Sequence, residues 1–152
     1  MFGDFDMIDL RSLFLALLLS ILPALAGAQS MQWESPASVE GATTVDLDQA
    51  LEMHRSGVVF IDVRSARQFE KRHIPGAKHL YVNDTFTESN LLQYLGDKGQ
   101  PFVIYCNGVK CSLSSKAAYM AVTWGFTKVK YFRAGIRAWR LTGNPLEYGP
   151  QR

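Results

Sequence analysis

Two cysteines and three histidines are all that this 152-residue chain offers a soft metal ion. No pair among them has zinc-finger spacing, and the Cys-x-x-Cys of thioredoxin-like redox proteins is absent. Neither a metal nor a cofactor is expected. Runs of basic residues are missing too, which removes support for a nucleic-acid partner. There are no internal repeats and no low-complexity segments. Both cysteines, Cys106 and Cys111, lie five positions apart. A structural disulfide in an exported protein usually joins distant segments, and a bridge closing so small a loop adds little through chain entropy. A plain local disulfide stays open, but two thiols flanking a short loop point first to chemistry.

Long apolar runs are equally scarce. The one candidate, Leu13–Ala28, reads LFLALLLSILPALAGA, sixteen residues without a charge, where a membrane span needs about 20. It ends in Ala26-Gly27-Ala28, a small-x-small cleavage pattern, and reads as a secretory signal removed before Gln29. The expectation is export, to the periplasm; the alternative is an uncleaved anchor that holds the domain at the periplasmic membrane face. The preceding flank is unusual, since Asp4, Asp6 and Asp9 surround a single base, Arg11. A start at Met7 would remove two of those acids.

Residues 1–28 are thus assigned to a signal peptide, 29–42 to a polar leader, 43–147 to one domain and 148–152 to a tail. Losing the signal takes Arg11 from the 16 Lys and Arg, and Asp4, Asp6 and Asp9 from the 14 Asp and Glu. That leaves 15 against 11, a net charge of +4 spread along the chain. Such a balance favours small anionic substrates weakly.

Strands and helices are expected to alternate through the domain. Thr43–Val45 is a brief strand. Asp46 and Gln49 form a capping box that opens a helix with Leu47, Ala50, Leu51 and His54 on one face, ended by Gly57. Val58–Val63 is a continuous apolar run broken only by Asp62, the mark of a strand covered on both faces. A second capping box, Ser65 with Gln68, opens a helix to about His73; Ile74-Pro75-Gly76 turns, and His79–Val82 is a strand. Thr87–Leu95 forms a helix burying Leu91, Leu92 and Leu95. Phe102–Tyr105 is a strand, and Ser112–Trp124 a helix with Leu113, Ala117, Met120, Ala121 and Trp124 as its stripe. Val129–Phe132 and Ile136–Leu141 are the last strand and helix. Alternation of this kind implies right-handed crossovers and an α/β fold, a parallel sheet with helices on both faces.

Ligands of such sheets bind at the carboxyl ends of strands, where Cys106 follows Phe102–Tyr105. The loop Asn107, Gly108, Val109, Lys110, Cys111 then leads to a helix opening at Ser112. A thiol at a strand-to-helix turn meets converging backbone N–H groups, which favour a thiolate and any anion brought beside it. The thiolate attacks, the loop amides hold the anion, and no histidine is required nearby. Lys110 can add positive charge; Asp62 and Arg64, at the end of the neighbouring strand, are read as braces for the loop. His54, His73, Trp33, Trp124 and Trp139 are expected to pack.

Three segments together, FIDVRSARQFEKRHIPGAKHL at 60–80, YCNGVKCS at 105–112 and AGIRAWRLTGNPLE at 134–147, resemble a rhodanese domain. The resemblance covers about residues 43–147 and implies a five-stranded parallel sheet flanked by helices. It further implies that Cys106 is the sulfur-accepting nucleophile, with Asn107, Gly108, Val109, Lys110, Cys111 and Ser112 forming the substrate loop. The partners would be a small anionic sulfur donor such as thiosulfate and a thiophilic acceptor, cyanide or a thiol. The loop departs from the family's Cys-x-x-Gly-x-Arg pattern: Gly108 comes one position early and Cys111 takes the sixth place. Related phosphatases and arsenate reductases have a longer loop ending in Arg, and no Arg follows Cys106 here until Arg133; the guanidinium clamp for an oxyanion is missing. Cys111 introduces an alternative, a thiol–disulfide or persulfide relay with Cys111 as resolving thiol and a redox partner protein. A catalytically silent module that only binds a partner is the third reading, disfavoured by the presence of Cys106.

Overall fold

Short apolar runs bounded by turns become strands because each run can be covered on both faces. The computed structural model describes residues 32–150. Its elements are β1 (Thr43–Thr44), α1 (Leu47–Arg55), β2 (Val59–Asp62), α2 (Ala66–Lys71) and β3 (Lys78–His79), followed by α3 (Glu88–Leu95), β4 (Phe102–Tyr105), α4 (Leu113–Thr123), β5 (Val129–Phe132) and α5 (Gly135–Leu141). The five strands form one parallel sheet in the order β1-β5-β4-β2-β3. The expected signal segment and its cleavage point lie outside the described residues. Among the described residues no helix is long and apolar enough to cross a membrane.

β4 is central, and its four residues are fully buried. The two-residue period of a strand divides them between two cores. Phe102, Ile104 and Cys106 face a cluster with Leu91 of α3 and Ala117 and Ala121 of α4. Val103 and Tyr105 face the other, with Ala50 of α1, Phe69 of α2 and Ile136 and Trp139 of α5. The helices therefore cover both faces, as the alternation requires.

The Asp46–Gln49 capping box forms as expected, with Asp46 Oδ1 accepting from the Gln49 N–H at 2.9 Å and Gln49 Oε1 from the Asp46 N–H at 3.0 Å. The second box does not form. Ser65 Oγ turns to Gln68 Oε1 at 3.3 Å instead of a backbone N–H, and the Ser65 carbonyl takes the Gln68 and Phe69 N–H groups. That helix also ends at Lys71, short of His73, whose backbone pairs with Glu147. β3 starts earlier than expected and is shorter; beyond it, single bonds from the Leu80 and Val82 N–H groups to Asp62 and Val63 carry the edge on. Leu92 is only partly buried. His54 packs edge-on against Phe60 and Trp139 and bonds the Pro75 carbonyl through Nε2 at 2.8 Å. Trp139 is buried and Trp124 stacks on Phe86, but Trp33 is 59 % exposed and is no part of either core.

Candidate functional site

Parallel pairing sets Asp62 of β2 opposite Tyr105 of β4. The residues that follow, Val63-Arg64 and Cys106-Asn107, thus emerge side by side at the carboxyl edge of the sheet. Cys106 keeps the face of Ile104, which turns its side chain inward, with no exposed surface. Its Sγ lies 3.1 Å from Oγ of the buried Ser114 in α4 and 3.3 Å from the Cys111 carbonyl oxygen.

The loop is held from three sides. Arg64, itself buried, donates through Nε to both carboxylate oxygens of buried Asp62 at 2.9 and 3.1 Å, through Nη2 to the Arg72 carbonyl at 2.8 Å and through Nη1 to Asn107 Oδ1 at 3.3 Å. Burial works against the Arg64 charge, but the hydrogen bond and charge of Asp62 more than offset it, so its pKa is raised. From the N-terminal side, the Ser35 N–H donates to the Val109 carbonyl at 2.7 Å. Arg133 and Tyr131 in turn anchor Ser35.

The third support is α5. Its Ile136 and Arg137 N–H groups donate to the Cys106 and Asn107 carbonyls at 3.0 and 3.1 Å. That approach requires Gly135, whose φ is +58° and whose missing Cβ would strike the Cys106 carbonyl oxygen and sit 2.8 Å from the Gly108 nitrogen. Both obstacles are backbone, so neither can swing aside. Gly135→Ala is expected to cost roughly 1–3 kcal/mol in strain and to lower the melting temperature by on the order of 5–10 °C. A thermal melt unchanged within error would show that α5 can move off the loop.

The two thiols differ in environment. Cys106 is held above the ordinary thiol range, first by its side-chain hydrogen bond to Cys111 and second by burial. Cys111 is brought down to about 6 by accepting that bond, against its own partial burial, with the Asn107 and Leu113 backbone N–H groups and the Arg64 charge adding to the effect. Both cysteines are free. Cys111 is the thiol that reaches the surface: it lines a cavity of about 650 Å³ with Asn107, Gly108, Val109, Lys110 and Ser112, closed by Trp33, Leu113 and Arg137. Cys106 does not line it. Among the described residues no group of three or more His, Cys, Asp and Glu converges.

Several residues at this site carry no sequence signal of their own. Ser114 stands eight positions past Cys106 within an ordinary helix start. Trp33 and Ser35 belong to the stretch assigned as a leader, yet they border the loop. Arg137 is one of many exposed bases. Gly135 is flagged only by the third of the motifs that carry the family resemblance.

Comparison with known proteins agrees with this fold. Residues 46–142 match the family model described as the rhodanese-like domain. The chain is 34 % identical over 95 residues to the thiosulfate sulfurtransferase GlpE of Pseudomonas savastanoi pv. phaseolicola, covering 62 % of this chain and 84 % of that one. It is 32 % identical over 92 residues to an HTH-type transcriptional regulator of Mycobacterium tuberculosis, but that match spans 60 % of this chain and only 38 % of the regulator. In structure it is similar to a protein from Bacillus halodurans, with a TM-score of 0.62, 27 % identity, and 70 % of this chain and 77 % of that one covered.

Proposed function

The chain belongs to the rhodanese-like domain family, and from that premise we propose that it moves a sulfane sulfur from an anionic donor such as thiosulfate to a thiophilic acceptor through a persulfide on Cys106. The observation that carries this reading is the pairing of Cys106 with a second thiol, with the Gly108 N–H reaching the Cys106 sulfur and the Asn107 and Leu113 N–H groups reaching that of Cys111. A relative named thiosulfate sulfurtransferase supports the donor class.

Cys106 needs to lose a proton before it can attack, and burial opposes that loss. The two thiols share one proton across their hydrogen bond once the pair has lost its first proton, at a pH of about 6, and part of the population carries that proton on Cys111. In that form the Cys106 thiolate, held by the Gly108 N–H and the Ser114 hydroxyl, attacks the outer sulfur of thiosulfate. The new S–S bond forms as the old one breaks, sulfite leaves with the electron pair, and Cys106 carries the persulfide. Cyanide then removes the outer sulfur as thiocyanate and restores the Cys106 thiolate. Loop amides and the Arg64 charge stabilise the anions throughout.

The proximity of the two thiols favours a second outcome when no acceptor is present. The Cys111 thiolate attacks the inner sulfur of the persulfide, hydrosulfide leaves, and a Cys106–Cys111 disulfide remains. A dithiol reductant is then needed to restart the site. This is the relay reading, with Cys111 as the resolving thiol.

Mass spectrometry after thiosulfate treatment separates the readings. Gain of one sulfur per chain, or loss of two hydrogens with hydrosulfide released, supports transfer, whereas loss of two hydrogens with no hydrosulfide released replaces it with disulfide chemistry. In the wild type, loading should rise with pH through about 6 as the thiol pair sheds its first proton. Cys111→Ser is expected to lose that inflection, to load more slowly at neutral pH, to hold its persulfide longer and to need no dithiol. Equal persulfide lifetimes in the two proteins would remove Cys111 from the mechanism.

A further inference from the structure

Beside the thiol cavity lies a second one, of about 570 Å³, whose lining contains Arg64, Arg67, Lys71, Arg72, Arg137 and Arg140 and no carboxylate. Four of the six bases come from two helices distant in sequence. Arg67 and Lys71 are one turn apart on α2, and Arg137 and Arg140 are one turn apart on α5. Only Arg64 has a carboxylate partner; among the described residues the other five bases form no ion pair. Like charges gathered at this spacing repel one another, so the arrangement is unfavourable until an anion enters. Thiosulfate alone, a compact dianion, does not account for it.

The two cavities meet. Asn107 and Arg137 line both, so a ligand with its sulfur in the thiol cavity can lay the rest of its length among the arginines. Each cavity is of small-molecule size, which argues for a compact carrier over a protein segment. Guanidinium groups match carboxylate and phosphate alike, two hydrogen bonds at a time. We infer that the sulfur carrier served by this site is a low-molecular-mass thiol, or its persulfide, with a multiply anionic tail of carboxylates or phosphates, bound by Arg67, Lys71, Arg72, Arg137 and Arg140. This inference rests on the sulfur-transfer reading for what happens at the sulfur, but not for the binding itself.

Unreactive thioethers test the binding without turnover. Calorimetry would compare S-methylglutathione, with a carboxylate tail, S-methyl coenzyme A, with a phosphate tail, and uncharged 2-(methylthio)ethanol. At least one tailed probe should bind at least about tenfold tighter than the uncharged one, and the advantage should shrink as salt is raised. Which of the two binds identifies the anion. Arg67→Glu with Arg140→Glu should remove the advantage; both side chains are exposed, and a thermal melt verifies the fold, with Arg140→Gln alone as the milder variant. Tailed probes that bind no better than 2-(methylthio)ethanol, or a charge-reversed protein that binds them equally well, would overturn the inference. Failure of thiosulfate to load sulfur is a separate result: it would sink the sulfur-transfer reading and leave the binding outcome standing.

Discussion

Cys106→Ser is expected to reduce thiosulfate:cyanide sulfurtransferase activity to less than about a tenth of wild type, because no other group can take its place at the sulfur-accepting position. The fold should survive. Ser is close to Cys in volume, and Ser114 Oγ, 3.1 Å from the sulfur, can hydrogen-bond a hydroxyl there. A melting temperature within a few degrees, read beside the lost activity, would separate chemistry from collapse. Cys111 gives the result its force. It is the more exposed and more acidic thiol, so activity that survives in Cys106→Ser and vanishes in Cys111→Ser would transfer the nucleophile's role to Cys111.

The second large effect is structural. Asp62→Asn should cost about 3–5 kcal/mol, the usual consequence of removing one partner from a buried ion pair, and lower the melting temperature by more than about 10 °C. Asp62 is fully buried and Arg64 nearly so, and Arg64 also joins the Arg72 carbonyl to Asn107 of the loop. The asparagine amide turns a donor toward the guanidinium where an acceptor stood. Arg64→Met in the Asp62→Asn background should recover part of the loss, since the stranded charge is then gone. Thermal unfolding of both variants checks this. A single variant as stable as wild type would show that water reaches the pair.

The elements that could be read in advance are those whose signal is local. Phe102–Tyr105 is apolar at every position, so a strand in the sheet's centre follows from the run itself. Asp46 and Gln49 cap a helix within four residues, and that box forms because nothing else competes for either side chain. The same pattern at Ser65 and Gln68 failed. There the Gln68 N–H that the box would need is taken by the Ser65 carbonyl, and the Ser65 hydroxyl turns to Gln68 Oε1. Cys106 at a strand end and the missing arginine after it could also be read directly, because both are facts of order along the chain.

What the sequence determined by itself was therefore the alternation that makes the parallel sheet and the position of the thiols at the end of its central strand. Only the tertiary structure decided which thiol faces the cavity: strand alternation turns Cys106 into the α4 side of the core, while the loop carries Cys111 back to the surface. It also decided that Gly135 holds the loop, and that Trp33 and Ser35 border a site more than 70 residues away in sequence. The gathering of bases from α2 and α5 is of the same kind. Periods of 2 and 3.6 residues specify which face of an element is buried, but not which elements become neighbours. That depends on the crossovers bringing distant helices to the carboxyl edge of the sheet, where backbone contacts and unpaired charges meet.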